Sequence, residues 1–213
     1  MTWRIHDVSM PVHHSMPVYK DKADKRPEFE TKADFAESGL RESRAHVDAH
    51  TGTHVDAALH MMPGADSIDL LPLEHVVRPA RVVDLSYVTG AIQVSDVEAL
   101  NVHEDEFLLF KTANSKEDIF NPEFVYLGEA AAKWLAEAKI AGVGIDGLGI
   151  ERSQPGHPTH KALFSSGAVI LEGLRLHHIQ PGTYFMVAAP LKWMGVEAAP
   201  ARVLLLEGVS ILS

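Results

Sequence analysis

The stretch His50-Thr-Gly-Thr-His54-Val-Asp56-Ala-Ala-Leu-His60 puts three imidazoles and a carboxylate within eleven residues. Imidazole nitrogen and carboxylate oxygen are the donors that hold zinc and manganese in hydrolytic sites. On one unbroken helix His50 and His54 would share a face. Asp56 would then lie about 200° and His60 about 280° around from His50, at ~100° per residue. On a strand all four positions have one parity and point to one side. Gly52 argues against an unbroken strand, and Ala57-Ala-Leu59 favours helix. The reading is a strand ending near His50, a turn through Gly52 and a short helix that swings the four groups around one point. A polar turn with Asp56 capping a helix explains any one of these residues but not all four, because Asp and His bury poorly without partners.

Working outward, the 213-residue chain is long enough for a substantial core and reads as one domain over residues 1–213. Its hydrophobic fraction of 46% and charged fraction of 23% are those of a soluble globular protein. A net charge of -10 argues against nucleic acid or an anionic membrane as partner. No cysteine is present, so disulfides and thiolate metal sites are excluded and any metal is held by nitrogen and oxygen. The N-terminal stretch has no apolar core of signal-peptide length, and no run approaches the roughly 18 apolar residues of a membrane span. The expected compartment is the cytoplasm. Most of the thirteen histidines, such as His6, His75 and His103, have no partner at ligand spacing and read as structural.

Short apolar runs bounded by Gly, Pro or polar residues predict strands over 5–8, 80–86, 107–112, 142–146, 168–171, 184–187 and 202–206. Ser95-Asp-Val-Glu98 reads as a capping box opening a short helix. Residues 129–139 read as the best helix, with Leu127, Ala131, Trp134, Leu135 and Ala138 on one stripe. The charged run 20–26, between Pro17 and Pro27, reads as an exposed loop. Strands outnumber helices, which makes the fold class α/β with a mixed sheet. A second cluster of donors is available in Gly156-His-Pro-Thr-His160 and at Glu172, which ends an apolar run. On spacing alone this pair is a weak metal signal, because His160 could cap a helix and Glu172 could face solvent.

The string His-Thr-Gly-Thr-His-Val-Asp, with His60 after it, resembles the signature of the cyclase family of metal-dependent hydrolases, which includes bacterial kynurenine formamidase and isatin hydrolase. Asp7-Val-Ser9-Met-Pro11 and Met16-Pro17-Val-Tyr19 resemble its N-terminal motif. Gly144-Ile-Asp146, His160 and Ile170-Leu-Glu172-Gly-Leu174 resemble its C-terminal one, and Pro200-Ala-Arg202-Val its closing strand. The resemblance implies a mixed-sheet α/β fold with a swivelling β/β/α core. It implies that His50, His54 and Asp56 bind one metal, and that Asp56 bridges to a second held by His160 and Glu172. His60 would be the catalytic proton carrier and Tyr19 would line the substrate pocket. The cofactor would be Zn2+ or Mn2+, one or two per chain, supplying activated water for hydrolysis of a small amide. Partners would be a small-molecule amide or lactam substrate and further copies of the chain, as a homodimer or homotetramer. Alternatives are a hydrolase of a cyclic amide or lactone such as isatin, and a metal-binding protein without catalysis. The chain departs from the family pattern in Ala57-Ala58, where a proline is common, in Tyr19-Lys-Asp-Lys22, where formamidases show Trp-Pro-Gly-Asp, and in Gly147-Leu-Gly-Ile-Glu-Arg152.

Overall fold

The computed structural model describes residues 3–208, a mixed α/β fold in which strands outnumber helices. In chain order the elements are β1 (Arg4–Asp7), β2 (Glu28–Ala33), α1 (Phe35–Ser38), β3 (Glu42–His46), β4 (His54–Asp56), β5 (Val77–Asp84), β6 (Ala91–Ile92), α2 (Val94–Glu98), β7 (Phe107–Lys111), β8 (Tyr126–Leu127), α3 (Glu129–Glu137), β9 (Gly142–Ile145), α4 (Pro158–Ser165), β10 (Val169–Glu172), β11 (Gly182–Val187), β12 (Ala198–Pro200) and β13 (Leu204–Glu207). Nine strands form one sheet in the order β1-β13-β11-β5-β7-β9-β10-β4-β12. The run β5, β7, β9, β10 is parallel, and the strands flanking it are antiparallel.

The period-2 pattern of strands explains why both faces are covered. In β7, Phe107 and Leu109 join one buried cluster while Leu108 and Phe110 join the other. In β10, Val169 and Leu171 face the first cluster and Ile170 the second. The first cluster also takes Leu205 from β13, Met186 from β11, Val55 from β4 and Ala199 from β12. Strands from both ends of the sheet thus share one core, so the sheet curls around it. On the other face α3 packs against α2 and α4, and α4 lies on β10. Ala131, Ala132 and Leu135 are the buried stripe of α3. No helix among the described residues is long and apolar enough to cross a membrane.

Several expectations are corrected. The strand expected to end near His50 ends earlier, and a further strand, not a helix, directly follows the turn through Gly52. β3 stops at His46, the chain turns with Gly52 at φ 65°, and a new strand runs from His54 to Asp56 before a 3-10 turn over Ala58–His60. Pairing decides this, because β4 lies between β10 and β12 and is hydrogen-bonded on both sides. The capping carboxylate of α2 is Asp96, which accepts from the Gln93 N–H at 2.8 Å, so the box starts two residues earlier than Ser95. β5 begins at Val77 and runs through Pro79. The β7 register starts only at Arg81, which leaves Pro79 paired on one side, where a missing N–H is tolerated. The closing strand begins at Leu204 rather than Arg202. The run 20–26 is exposed or half-buried and folds into two short 3-10 turns.

Candidate metal centre

β4 and β10 build the floor of the site. Their antiparallel register sets His54 opposite Glu172 and Asp56 opposite Ile170. Val55 faces the curled core, so His54 and Asp56 point to the helix-covered side, as does Glu172. α4 lies over that side and delivers His160. His50 comes from the turn before β4 and His60 from the 3-10 turn after it.

The five expected ligands converge. The Asp56 Oδ1 lies 3.4 Å from the Nε2 of both His50 and His54, and its Oδ2 lies 3.8 Å from the Nε2 of His160. Glu172 reaches both sides, with Oε2 3.3 Å from His54 Nε2 and Oε1 3.5 Å from His160 Nε2. His54 Nδ1 donates to the Gly52 carbonyl at 2.9 Å, which leaves Nε2 as the atom facing the carboxylates. His60 stacks at a tilt on His50, ring centroids 4.3 Å apart, and lies 5.7 Å from His160. One of its ring nitrogens is within 4.8 Å of donor atoms on His50 and Asp56. The geometry alone therefore admits His60 as ligand or as proton carrier.

The backbone here is fixed by two glycines. Gly173 has φ 70°, and a Cβ on it would sit 2.4 Å from the Gly52 carbonyl oxygen. The same carbonyl holds the His54 ring, so the two halves of the site meet backbone to backbone. Thr53 adds a hydroxyl bond to the Gly173 carbonyl at 2.6 Å and accepts from the Met10 N–H.

The electrostatics ask for positive charge. Asp56 and Glu172 are almost completely buried. Burial, and then the charge of Glu172, push Asp56 up to about 7. Burial alone would lower His54 and His160, but carboxylates outweigh it: Glu172 and Asp56 raise His54 to about 9, and Glu151 and Glu172 raise His160 to about 10. The two imidazoles, close to its oxygens at 3.3 and 3.5 Å, outweigh burial at Glu172 and hold it well below the usual carboxylate range. At His50 and His60 the support from Glu172 is too weak to offset burial. Burial and then neighbouring imidazoles depress His50 to about 3 and His60 to about 4. Both oxygens of Asp56 and the Nε2 atoms of His50 and His54 are buried without a hydrogen-bond partner. Polar atoms so placed are costly unless something fills the gap. A nitrogen-and-oxygen donor set with partnerless lone pairs around a shared carboxylate fits a divalent cation.

The cluster opens into a cavity of about 330 Å3 lined by Tyr19, Lys25, Asp48, His60, Met61, Leu148 and His157, among others. Tyr19 is in this wall, edge-on to Phe120 and Phe124 at 5.7 and 6.2 Å. Sequence reasoning missed Glu151, which is 4% exposed and bonded to His160 Nδ1 at 2.8 Å. The available signal was its place in the segment 147–152, which departs from the family pattern. Lys25 and Asp48, a loose pair at 3.8 Å on the rim, carried no signal in the sequence.

The Cyclase family model matches residues 6–152, so His160 and Glu172 lie beyond the matched stretch. The kynurenine formamidase of Salinibacter ruber is 33% identical over 202 residues, spanning 93% of this chain and 95% of that protein. A solved structure titled as a predicted metal-dependent hydrolase from Bacillus stearothermophilus superposes with a TM-score of 0.89 at 50% identity, over 97% of this chain and 99% of that one. Isatin hydrolase A from Labrenzia aggregata, at 24% identity and a TM-score of 0.83 over 96% and 93% of the two chains, shares the fold. With its histidine signature, its sheet and its relatives in agreement, this chain belongs to the cyclase family.

Proposed function

We propose that this chain is a metal-dependent hydrolase that cleaves a carbon–nitrogen bond in a small amide other than a peptide, as the kynurenine formamidases among its relatives do. The observation that carries the reading is Asp56, buried with both oxygens partnerless and each turned toward a different set of imidazoles. His50, His54 and Asp56 would hold one cation, and Asp56, His160 and Glu172 a second. Zn2+ and Mn2+ both suit these donors. A divalent cation here supplies Lewis acidity and lowers the pKa of water toward ~7.

The remaining work belongs to the protein. His60 stands beside the ligands at the cavity edge, where it accepts the proton of the attacking water and delivers it to the leaving nitrogen. The bond from acyl carbon to nitrogen breaks as the new carbon–oxygen bond is kept, giving a carboxylate and an amine. Tyr19 forms an aromatic wall that suits a planar substrate.

The chain is further proposed to self-associate. β2 and β3 form a separate two-stranded sheet with Phe29 opposite Ala45 and Thr31 opposite Ser43 on one face. Phe29, Phe35 and Leu40 on this arm are each at least half exposed. Such a hairpin is marginal alone, and a second copy of the chain is the partner proposed to cover it. The cysteine-free composition keeps the cytoplasm as the proposed compartment.

The test is turnover of N-formylkynurenine and isatin by protein stripped with a chelator and then reloaded with Zn2+ or Mn2+. Hydrolysis of the formamide that vanishes on stripping and returns on reloading is expected. Preference for isatin would move the activity to cyclic amides. Turnover unaffected by stripping would remove the metal from the reaction.

A further inference from the structure

Glu151 stands outside the five ligands yet is almost completely buried beside them. Its Oε2 accepts twice from one residue, from His160 Nδ1 at 2.8 Å and from the His160 backbone N–H at 3.2 Å. That backbone group is the third in α4, one of the N–H groups a helix start leaves without an internal partner. No side chain at the N-cap, His157, satisfies the first turn. One carboxylate oxygen therefore anchors both the helix start and the imidazole it carries. The other oxygen, Oε1, is buried without a hydrogen-bond partner, 3.8 Å from His157 Nδ1.

The consequence lies on the opposite edge of the ring. A carboxylate on Nδ1 keeps a proton there, so Nε2, which faces Asp56 and Glu172, is the nitrogen left to a cation. We propose that Glu151 is the positioning residue of His160, fixing its tautomer and ring plane so that Nε2 completes the half of the centre formed with Asp56 and Glu172. This rests on the metal-centre reading above. An outer carboxylate of this kind also raises the donor strength of the imidazole, and its removal typically costs 10- to 100-fold in metal affinity. The half formed by His50, His54 and Asp56 has its own anchor, the Gly52 carbonyl on His54, and does not depend on Glu151.

The test titrates chelator-stripped wild type, Glu151→Ala and Glu151→Gln with Zn2+ by calorimetry, and reads histidine tautomers in the zinc-loaded proteins by long-range 1H–15N correlation. Glu151→Ala is expected to weaken the second zinc about 10- to 100-fold and leave the first within about twofold. His160 then loses its single Nδ1–H signature. Glu151→Gln keeps an acceptor on Nδ1 but drops the charge. It should retain the tautomer and lose less than about tenfold in affinity, which separates positioning from a general loss of packing and serves if the alanine variant does not fold. Two zincs bound as in wild type by both variants, or both zincs weakened equally, would overturn the proposal while leaving the metal centre standing. A wild type that binds no zinc would overturn both.

Discussion

Asp56→Asn is expected to abolish cation binding and turnover together. The carboxylate serves two sets of imidazoles, through Oδ1 and Oδ2 separately, so the substitution removes charge from both halves of the centre at once. Truncating one partner of a buried charge pair typically costs about 2–5 kcal/mol of binding, roughly one and a half to four decades of affinity. The metal-free protein should respond the other way. There, Asp56 is a buried acid pushed up to about 7 by desolvation and by Glu172, so asparagine relieves an unfavourable charge. Calorimetric melting checks both signs. Metal-free Asp56→Asn should melt no lower than metal-free wild type and gain nothing from added Zn2+, whereas wild type at a hundredfold excess over Kd gains about 2.7 kcal/mol. A variant that still rises in Tm with zinc would take Asp56 out of the ligand set.

His60→Ala is expected to do the reverse, keeping the cation and losing the reaction. The His60 imidazole touches His50 and lies near His160, but among the described residues no carboxylate is hydrogen-bonded to either of its nitrogens. A group left free beside the ligands suits proton transfer, which typically contributes about 10²- to 10⁴-fold in rate. The variant should lose that factor in kcat, with elemental analysis and zinc affinity close to wild type. Loss of one zinc equivalent would instead make His60 a ligand, a role its ring nitrogen is near enough to fill.

Both residues were visible in the sequence because the chemistry is packed into one short segment. The strands β7, β9, β10 and β11 were visible too, as continuous apolar runs, and α3 as a stripe of one period. What stayed hidden has specific causes. β4 is three residues long and owes its form to neighbours more than a hundred residues away, so its own string reads as a turn. β2 and β3 carry Glu, Lys, Arg and His on one face with Phe29, Thr31, Ser43 and Ala45 on the other, and their alternation is too weakly apolar to read as strand. β12, Ala-Ala-Pro, has no strand signal of its own. Glu151 reads as an ordinary surface acid, because only the packing of α4 shows that its carboxylate is buried against an imidazole. The likeness to known relatives supplied His160 and Glu172 as a pair, which spacing had left undecided.

The position of β4 would also set when the proposed cation can be acquired. During synthesis the first three ligands leave the ribosome early. The strands that clasp β4, residues 169–172 and 198–200, emerge more than a hundred residues later. Contacts of such long sequence separation form late. Until then the proposed ligands His50, His54 and Asp56 would be exposed to whichever ion is abundant. On the proposed two-cation reading, selection among ions would fall at closure, when Glu172 arrives opposite His54.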